Sequence, residues 1–163
     1  MSLQDGLKAV AKVIPGVAGY FSREEVRTAD KLVREHVAKA IEVVKTRVDG
    51  AKRRLVDNKK IGALMDLDRV SSRLDRLRNR VRTASYGHSA FFADFKVDEA
   101  VLGQLMDFDR DLGERVAALG TKVTDLDKAA GDETVAKNAA LALETEVQAI
   151  DEAFTGRDAI LGK

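Results

Sequence analysis

Residues 22–57 read SREEVRTADKLVREHVAKAIEVVKTRVDGAKRRLVD, and this stretch decides the fold. Ser22-Arg23-Glu24-Glu25 is a capping box: the Ser22 hydroxyl can accept from the amide of Glu25, and the Glu25 side chain can reach back to the amide of Ser22. Phe21 before it and Val26 after it are placed for a hydrophobic staple. An apolar series then runs Val26, Ala29, Val33, Val37, Ala40, Val44, Val48, Ala51, Leu55, spaced 3-4-4 with an eleven-residue period. That period predicts a straight or slightly right-handed helix pairing. A helix over 22–57 is roughly 54 Å long. Its apolar stripe is narrow, so it needs partner helices along its whole length.

Downstream, Asp57-Asn58-Lys59-Lys60 reads as a reversal, with Asn58 suited to left-handed geometry; the alternative is a helix continuous through this point, since neither Pro nor Gly forces a stop there. The second helix, 60–85, carries Ile61, Leu64, Leu67, Val70, Leu74, Leu77 and Val81 on one face. Its other faces are crowded with arginine. Arg69 and Arg73, and Arg76 and Arg80, sit one turn apart, so like charges face each other and call for an anion or an acidic surface. Residues 83–96 break the helical period and hold Tyr86, Phe91, Phe92 and Phe95. So apolar a connection either caps the end of a bundle or docks a partner chain or lipid. Asp98 reads as the cap of a third helix, 98–129, with Val97, Val101, Leu105, Phe108, Leu112, Val116, Leu119, Val123 and Leu126 on one face. Gly131 closes that helix and Asp132 opens a fourth, 133–161, with Val135, Ala139, Leu143, Val147, Ile150, Phe154 and Leu161.

Upstream, Leu3, Leu7, Val10 and Ile14 share one face of a short amphipathic helix that Pro15-Gly16 ends. That helix either docks on the main body or another subunit, or lies in a lipid interface. The expected organisation is therefore a short N-terminal amphipathic helix and linker, 1–21, followed by one helical domain, 22–163. The fold class is all-α: a long antiparallel helical hairpin within a four-helix up-down bundle of coiled-coil character.

Charge is polarised along the chain. Residues 45–82 hold thirteen Lys/Arg against five Asp/Glu, and residues 83–163 hold eight against sixteen, so a formal net charge of +1 hides a basic middle and an acidic C-terminal half. Such asymmetry points to an anionic partner or to attraction between the two halves. The absence of Cys removes disulfides, thiolate zinc sites and thiol nucleophiles. Asp107-x-Asp109-x-Asp111 begins like a calcium loop, but Leu112 and Ala118 stand where Gly and Glu are required. His36 lies beside the apolar stripe of the first helix and reads as an interfacial packing residue, and His88 falls in the aromatic break. Neither completes a Glu-x-x-His pair for a bundle metal site. Leu64-Met65-Asp66-Leu67-Asp68-Arg69 is echoed by Leu105-Met106-Asp107-Phe108-Asp109-Arg110, either as a duplicated helix or by chance among helices built from few residue types. No catalytic residue, metal or cofactor is expected.

A short amphipathic helix, a long hairpin with a basic second arm and then acidic helices: in this outline the chain resembles the phage-shock PspA and ESCRT-III-like superfamily. The resemblance implies binding to anionic membranes and polymerisation; the aromatic break from Tyr86 to Phe95 departs from it. The expected function is a non-enzymatic, cytoplasmic helical scaffold or adaptor that self-associates and docks a partner, with an anionic membrane surface as one such partner. The expected anion- or partner-binding residues are Lys52, Arg53, Arg54, Lys59, Lys60, Arg69, Arg73, Arg76 and Arg80. The expected membrane or partner docking residues are Leu3, Leu7, Val10, Ile14, Phe91, Phe92 and Phe95. The alternatives are a nucleic-acid binder using the basic 45–82 segment, with steeply salt-dependent affinity, and a plain structural bundle whose basic and acidic faces pair internally.

Overall fold

The computed structural model describes residues 23–84 and 99–160. Within them stand four helices: α1 (Arg23–Asp57), α2 (Leu64–Thr83), α3 (Glu99–Lys128) and α4 (Glu133–Ile160). One-turn 3₁₀ segments, Ile61–Ala63 and Ala129–Gly131, complete the α1–α2 and α3–α4 connections. The expected N-terminal helix, the Ser22 and Asp98 caps, and the aromatic break lie outside the described residues.

Each connection has a local cause. After Asp57 the amide of Lys60 donates to Leu55 O (2.8 Å) and that of Lys59 to Val56 O (2.9 Å). This pair of bonds is a Schellman closure, which needs a left-handed residue. Lys59 supplies it, at φ 57°; the left-handed role expected of Asn58 thus falls one residue later. At the other turn, Asp132 Oδ1 accepts from the amides of Thr134 (2.8 Å) and Val135 (3.1 Å), the N-cap anticipated from the sequence. The two turns share one end of the bundle. A Cβ at Gly62 would fall 1.8 Å from Glu133 Oε1, so the first turn can sit on the start of α4 only with a residue that small, or with Glu133 swung away.

The hairpins α1–α2 and α3–α4 are antiparallel, and they pack side by side with α1 against α3 and α2 against α4. Arg47 on α1 meets Gly120 and Thr124, and Arg54 meets Asp127, so α1 and α3 run in the same direction. Arg73 meets Glu144, and Arg80 meets Asp151, so α2 and α4 do the same. The pairs α1/α4 and α2/α3 therefore occupy the diagonals.

The core corrects the apolar pattern at several positions. Along α1 the buried apolar series is Val33, Val37, Ile41, Val44, Val48, Ala51 and Leu55, spaced 4-4-3-4-3-4, with Arg34 and Ala38 buried beside it. Ile41, not Ala40, faces inward, and from Val37 onward the period is seven rather than eleven, as in knobs-into-holes packing. In the 3₁₀ segment before α2, Ala63 is buried and Ile61 is exposed. On α4, Ala136 and Ala140 are buried where Val135 and Ala139 were expected. On α3 the series runs Leu105, Asp109, Leu112, Val116, Leu119, Val123, Leu126, with a carboxylate in a core position and Phe108 half-buried beside it. Arg157 on α4 continues the series Ile150, Phe154 in the same way. His36 is exposed, so it is not a packing residue. The two echoed hexapeptides bury different positions, Leu67 in one and Leu105, Met106 and Asp109 in the other. What they share is an Asp–Arg pair three residues apart, Asp66–Arg69 and Asp107–Arg110.

Candidate functional site

The basic arm runs from Lys45 to Arg82, along the second half of α1 and all of α2. Most of its charge is answered from within the molecule, at three seams.

Between α1 and α2 the rungs are Lys52 with Asp68 (2.5 Å), Ser71 Oγ donating to Asp49 (2.8 Å), Lys45 with Asp75 (3.7 Å), and Arg78 with Glu42. Asp49 also takes Lys45 Nζ at 2.9 Å. Burial pushes the Asp49 carboxyl up, but hydrogen bonds from Lys45 and Ser71 and the charge of Lys52 outweigh it and hold it below the ordinary value. The hydrogen bond to Asp49 raises Lys45, against a smaller opposing effect of burial. These groups line an open surface groove of about 800 Å³ in which Lys45, Lys52 and Arg53 face Asp49, Asp57, Asp68 and Asp75. Mixed charge at such density gives the groove no single-sign field to concentrate an ion.

Between α1 and α3, Arg47 donates to Gly120 O (2.8 Å), Thr124 Oγ1 (3.0 Å) and Asp127 Oδ2 (2.8 Å), and Arg54 reaches the other oxygen of Asp127. Between α2 and α4, Arg69 Nε (3.4 Å) and Arg73 Nε (3.0 Å) converge on Glu144. Arg80 binds the Asp151 side chain, its carbonyl (3.1 Å) and Thr155 Oγ1 (3.3 Å), and stacks 5.3 Å from the Phe154 ring centroid. The spacing explains the fit. Arg73 and Arg80 are seven residues apart, as are Glu144 and Asp151. On two helices running the same way, the pairs fall into register. The repulsion anticipated among the arginines of α2 is thus relieved by acidic groups of the same chain.

Of the nine expected basic residues, Lys52, Arg54, Arg69, Arg73 and Arg80 are held in these seams. Arg53, Lys59, Lys60 and Arg76 are exposed and make no ion pair among the described residues. Three of them, Arg53, Lys59 and Lys60, belong to the end of α1 and the α1–α2 turn. The same stretch of chain leaves three large apolar side chains in solvent: Val56 (50% exposed), Ile61 (66%) and Met65 (75%), with Val56 in the groove beside Arg53 and Met65 beside Arg73 and Arg76. Sequence reasoning missed that apolar set, since Ile61 had been given to the core and Val56 and Met65 fell off the stripe. It also missed Glu144, Asp151 and Asp127 as the partners of the arginines. The matching seven-residue spacings were the available signal.

The expected docking residues Leu3, Leu7, Val10, Ile14, Phe91, Phe92 and Phe95 lie outside the described residues. Among the described residues, no group of three or more His, Asp or Glu side chains is disposed to hold a metal ion, and no helix is long and apolar enough to cross a membrane. Asp107 and Asp111 both pair with Arg110, and Asp109 with Arg157. No protein-family model matches this chain, and neither a curated protein nor a solved structure matches it. What stands of the outlined resemblance is an all-helical, four-helix arrangement.

Proposed function

We propose that the chain is a non-enzymatic helical scaffold or adaptor that self-associates and docks an anionic partner surface through its α1–α2 turn. One observation carries this reading: the seams consume most of the basic arm and leave Arg53, Lys59, Lys60 and Arg76 without an ion pair among the described residues, in a stretch of chain that also exposes Val56, Ile61 and Met65. Cations interleaved with apolar side chains suit an interface in which charge meets anionic headgroups and apolar groups enter the acyl boundary. A single tip of this size binds weakly, and self-association multiplies it through effective concentration. The outline shared with membrane-binding, polymerising helical proteins supports the same choice. A polyanionic nucleic acid fits less well, because it must compete with Glu144, Asp151 and Asp127 for the arginines.

The test is co-sedimentation with vesicles of phosphatidylserine–phosphatidylcholine and of phosphatidylcholine alone. Wild type is expected to pellet with the anionic vesicles only, and the Arg53→Glu/Lys59→Glu/Lys60→Glu variant to stay in solution. Equal binding by that variant, or no vesicle binding by wild type, overturns the assignment of the tip. Steeply salt-dependent binding to DNA in place of vesicles transfers the tip to nucleic acid.

A further inference from the structure

The outer surface of α4 differs from that of every other helix. The exposed faces of α1, α2 and α3 carry charges: Lys39 and Arg53; Asp68 and Arg76; Glu114 and Arg115. On α4, Ala136, Ala140, Leu143, Val147 and Ile150 face the core. Glu144 is drawn sideways to Arg69 and Arg73 of α2, and Glu146 to Lys122 of α3 (3.3 Å). Between Lys137 and Glu152 the exposed residues are Asn138, Leu141, Ala142, Thr145, Gln148 and Ala149, without a charge among them. Leu141 stands 62% exposed at the middle of this stripe. The Thr145 hydroxyl donates to Leu141 O at 3.0 Å, so its hydrogen-bonding demand is met within its own helix.

We infer that this stripe is the self-association surface, and that its occupant is the α4 stripe of a second copy packed antiparallel about a two-fold axis beside Thr145. This inference rests on the self-association in the reading above and assigns it a place. Charge complementarity selects the occupant. Lys137, which lies 3.8 Å from Glu133, and Glu152, which accepts from Gln148 Nε2 (2.8 Å), bracket the stripe about a point between Glu144 and Thr145 and stay exposed at its two ends. A two-fold axis there brings Lys137 of each copy opposite Glu152 of the other, and sets Leu141 against Gln148 and its neighbour Ala149. An isologous contact of this kind is self-complementary by symmetry. The stripe extends only roughly 17 Å along the helix. That is too little to bury the about 1,200 Å² of a tight interface, so association is reversible and concentration-dependent.

Sedimentation equilibrium over about 1–200 µM protein tests this, in the range where interfaces of such size titrate. Wild type is expected to dimerise. Leu141→Arg/Thr145→Arg, with helicity unchanged by circular dichroism, is expected to raise the dissociation constant at least about tenfold by burying charge at the contact. Lys137→Glu alone is expected to weaken dimerisation about three- to tenfold, and Lys137→Glu/Glu152→Lys to restore it. Dimerisation that survives Leu141→Arg/Thr145→Arg overturns the α4 surface while leaving a self-associating scaffold in place. Failure of the charge swap to restore it overturns the antiparallel two-fold. A wild-type monomer at every concentration overturns the surface and the self-association together.

Discussion

Arg157 and Asp109 meet inside the bundle, Nε 3.2 Å from Oδ1, with each side chain only 2% exposed. They occupy successive core positions of α4 and α3, where the heptad calls for apolar residues. A buried ion pair is costly to desolvate and damaging to break from one side. Arg157→Met is therefore expected to lose about 3–5 kcal/mol, because it takes the guanidinium away from the buried Asp109 carboxylate. Arg157→Met/Asp109→Leu is expected to lie within about 1 kcal/mol of wild type or above it. Urea unfolding of the two variants measures both.

Ile41 is fully buried and Val43, two residues on, is 56% exposed. Ile41→Ala is expected to cost about 2–5 kcal/mol through lost burial and the cavity left behind. Val43→Ala is expected to stay within about 0.5 kcal/mol of wild type. Equal losses in thermal unfolding would assign the inward face of α1 differently.

Lys59 holds a left-handed backbone at φ 57° that costs a residue with a Cβ about 1–2 kcal/mol. Glycine adopts it freely. Lys59→Gly is expected to raise stability by about 0.5–1 kcal/mol, read as an increase of about 1–4 °C in Tm.

Asp49 binds its proton more weakly in the folded chain than in the unfolded one, since Lys45 and Ser71 outweigh the effect of burial. Its contribution is therefore complete above the unfolded value of about 3.9 and is lost as pH falls through the lower folded value. Asp49→Asn is expected to be less stable than wild type above about pH 4, with the two curves converging in stronger acid. Lys45 is shifted the other way by the same hydrogen bond. Its contribution is complete below about 10.4 and is lost as pH rises through the folded value. Urea midpoints measured across pH check both limbs.

The helices and their turns were legible because capping and turn residues are local signals. The expected spans 22–57, 60–85, 98–129 and 133–161 lie within a few residues of the helices observed at all four places. The inward faces were less so. Where two adjacent apolar residues compete, as Ala40 and Ile41 do, a one-residue choice alters the inferred period. Charged core residues escape an apolar pattern altogether. Extending the heptad from Ile150 and Phe154 reaches Arg157, and stepping back from Leu112 reaches Asp109. Two opposite charges on such positions of paired helices are a readable sign of a buried ion pair. The anionic partner inferred from the arginines of α2 was harder to place, because composition cannot tell an external anion from Glu144 and Asp151 in the same chain. The side-by-side arrangement of the hairpins decides between them, and its trace in the sequence is the matching seven-residue spacing of Arg73 with Arg80 and of Glu144 with Asp151.

That arrangement is open to a direct measurement, because the chain has no cysteine. Two double variants, Arg73→Cys/Glu144→Cys and Arg80→Cys/Lys137→Cys, are treated with a short bis-maleimide at low protein concentration. With α2 and α4 side by side and running the same way, the first pair crosslinks within the chain and the second does not. Crosslinking of the second pair in preference to the first would contradict the internal pairing of the basic arm.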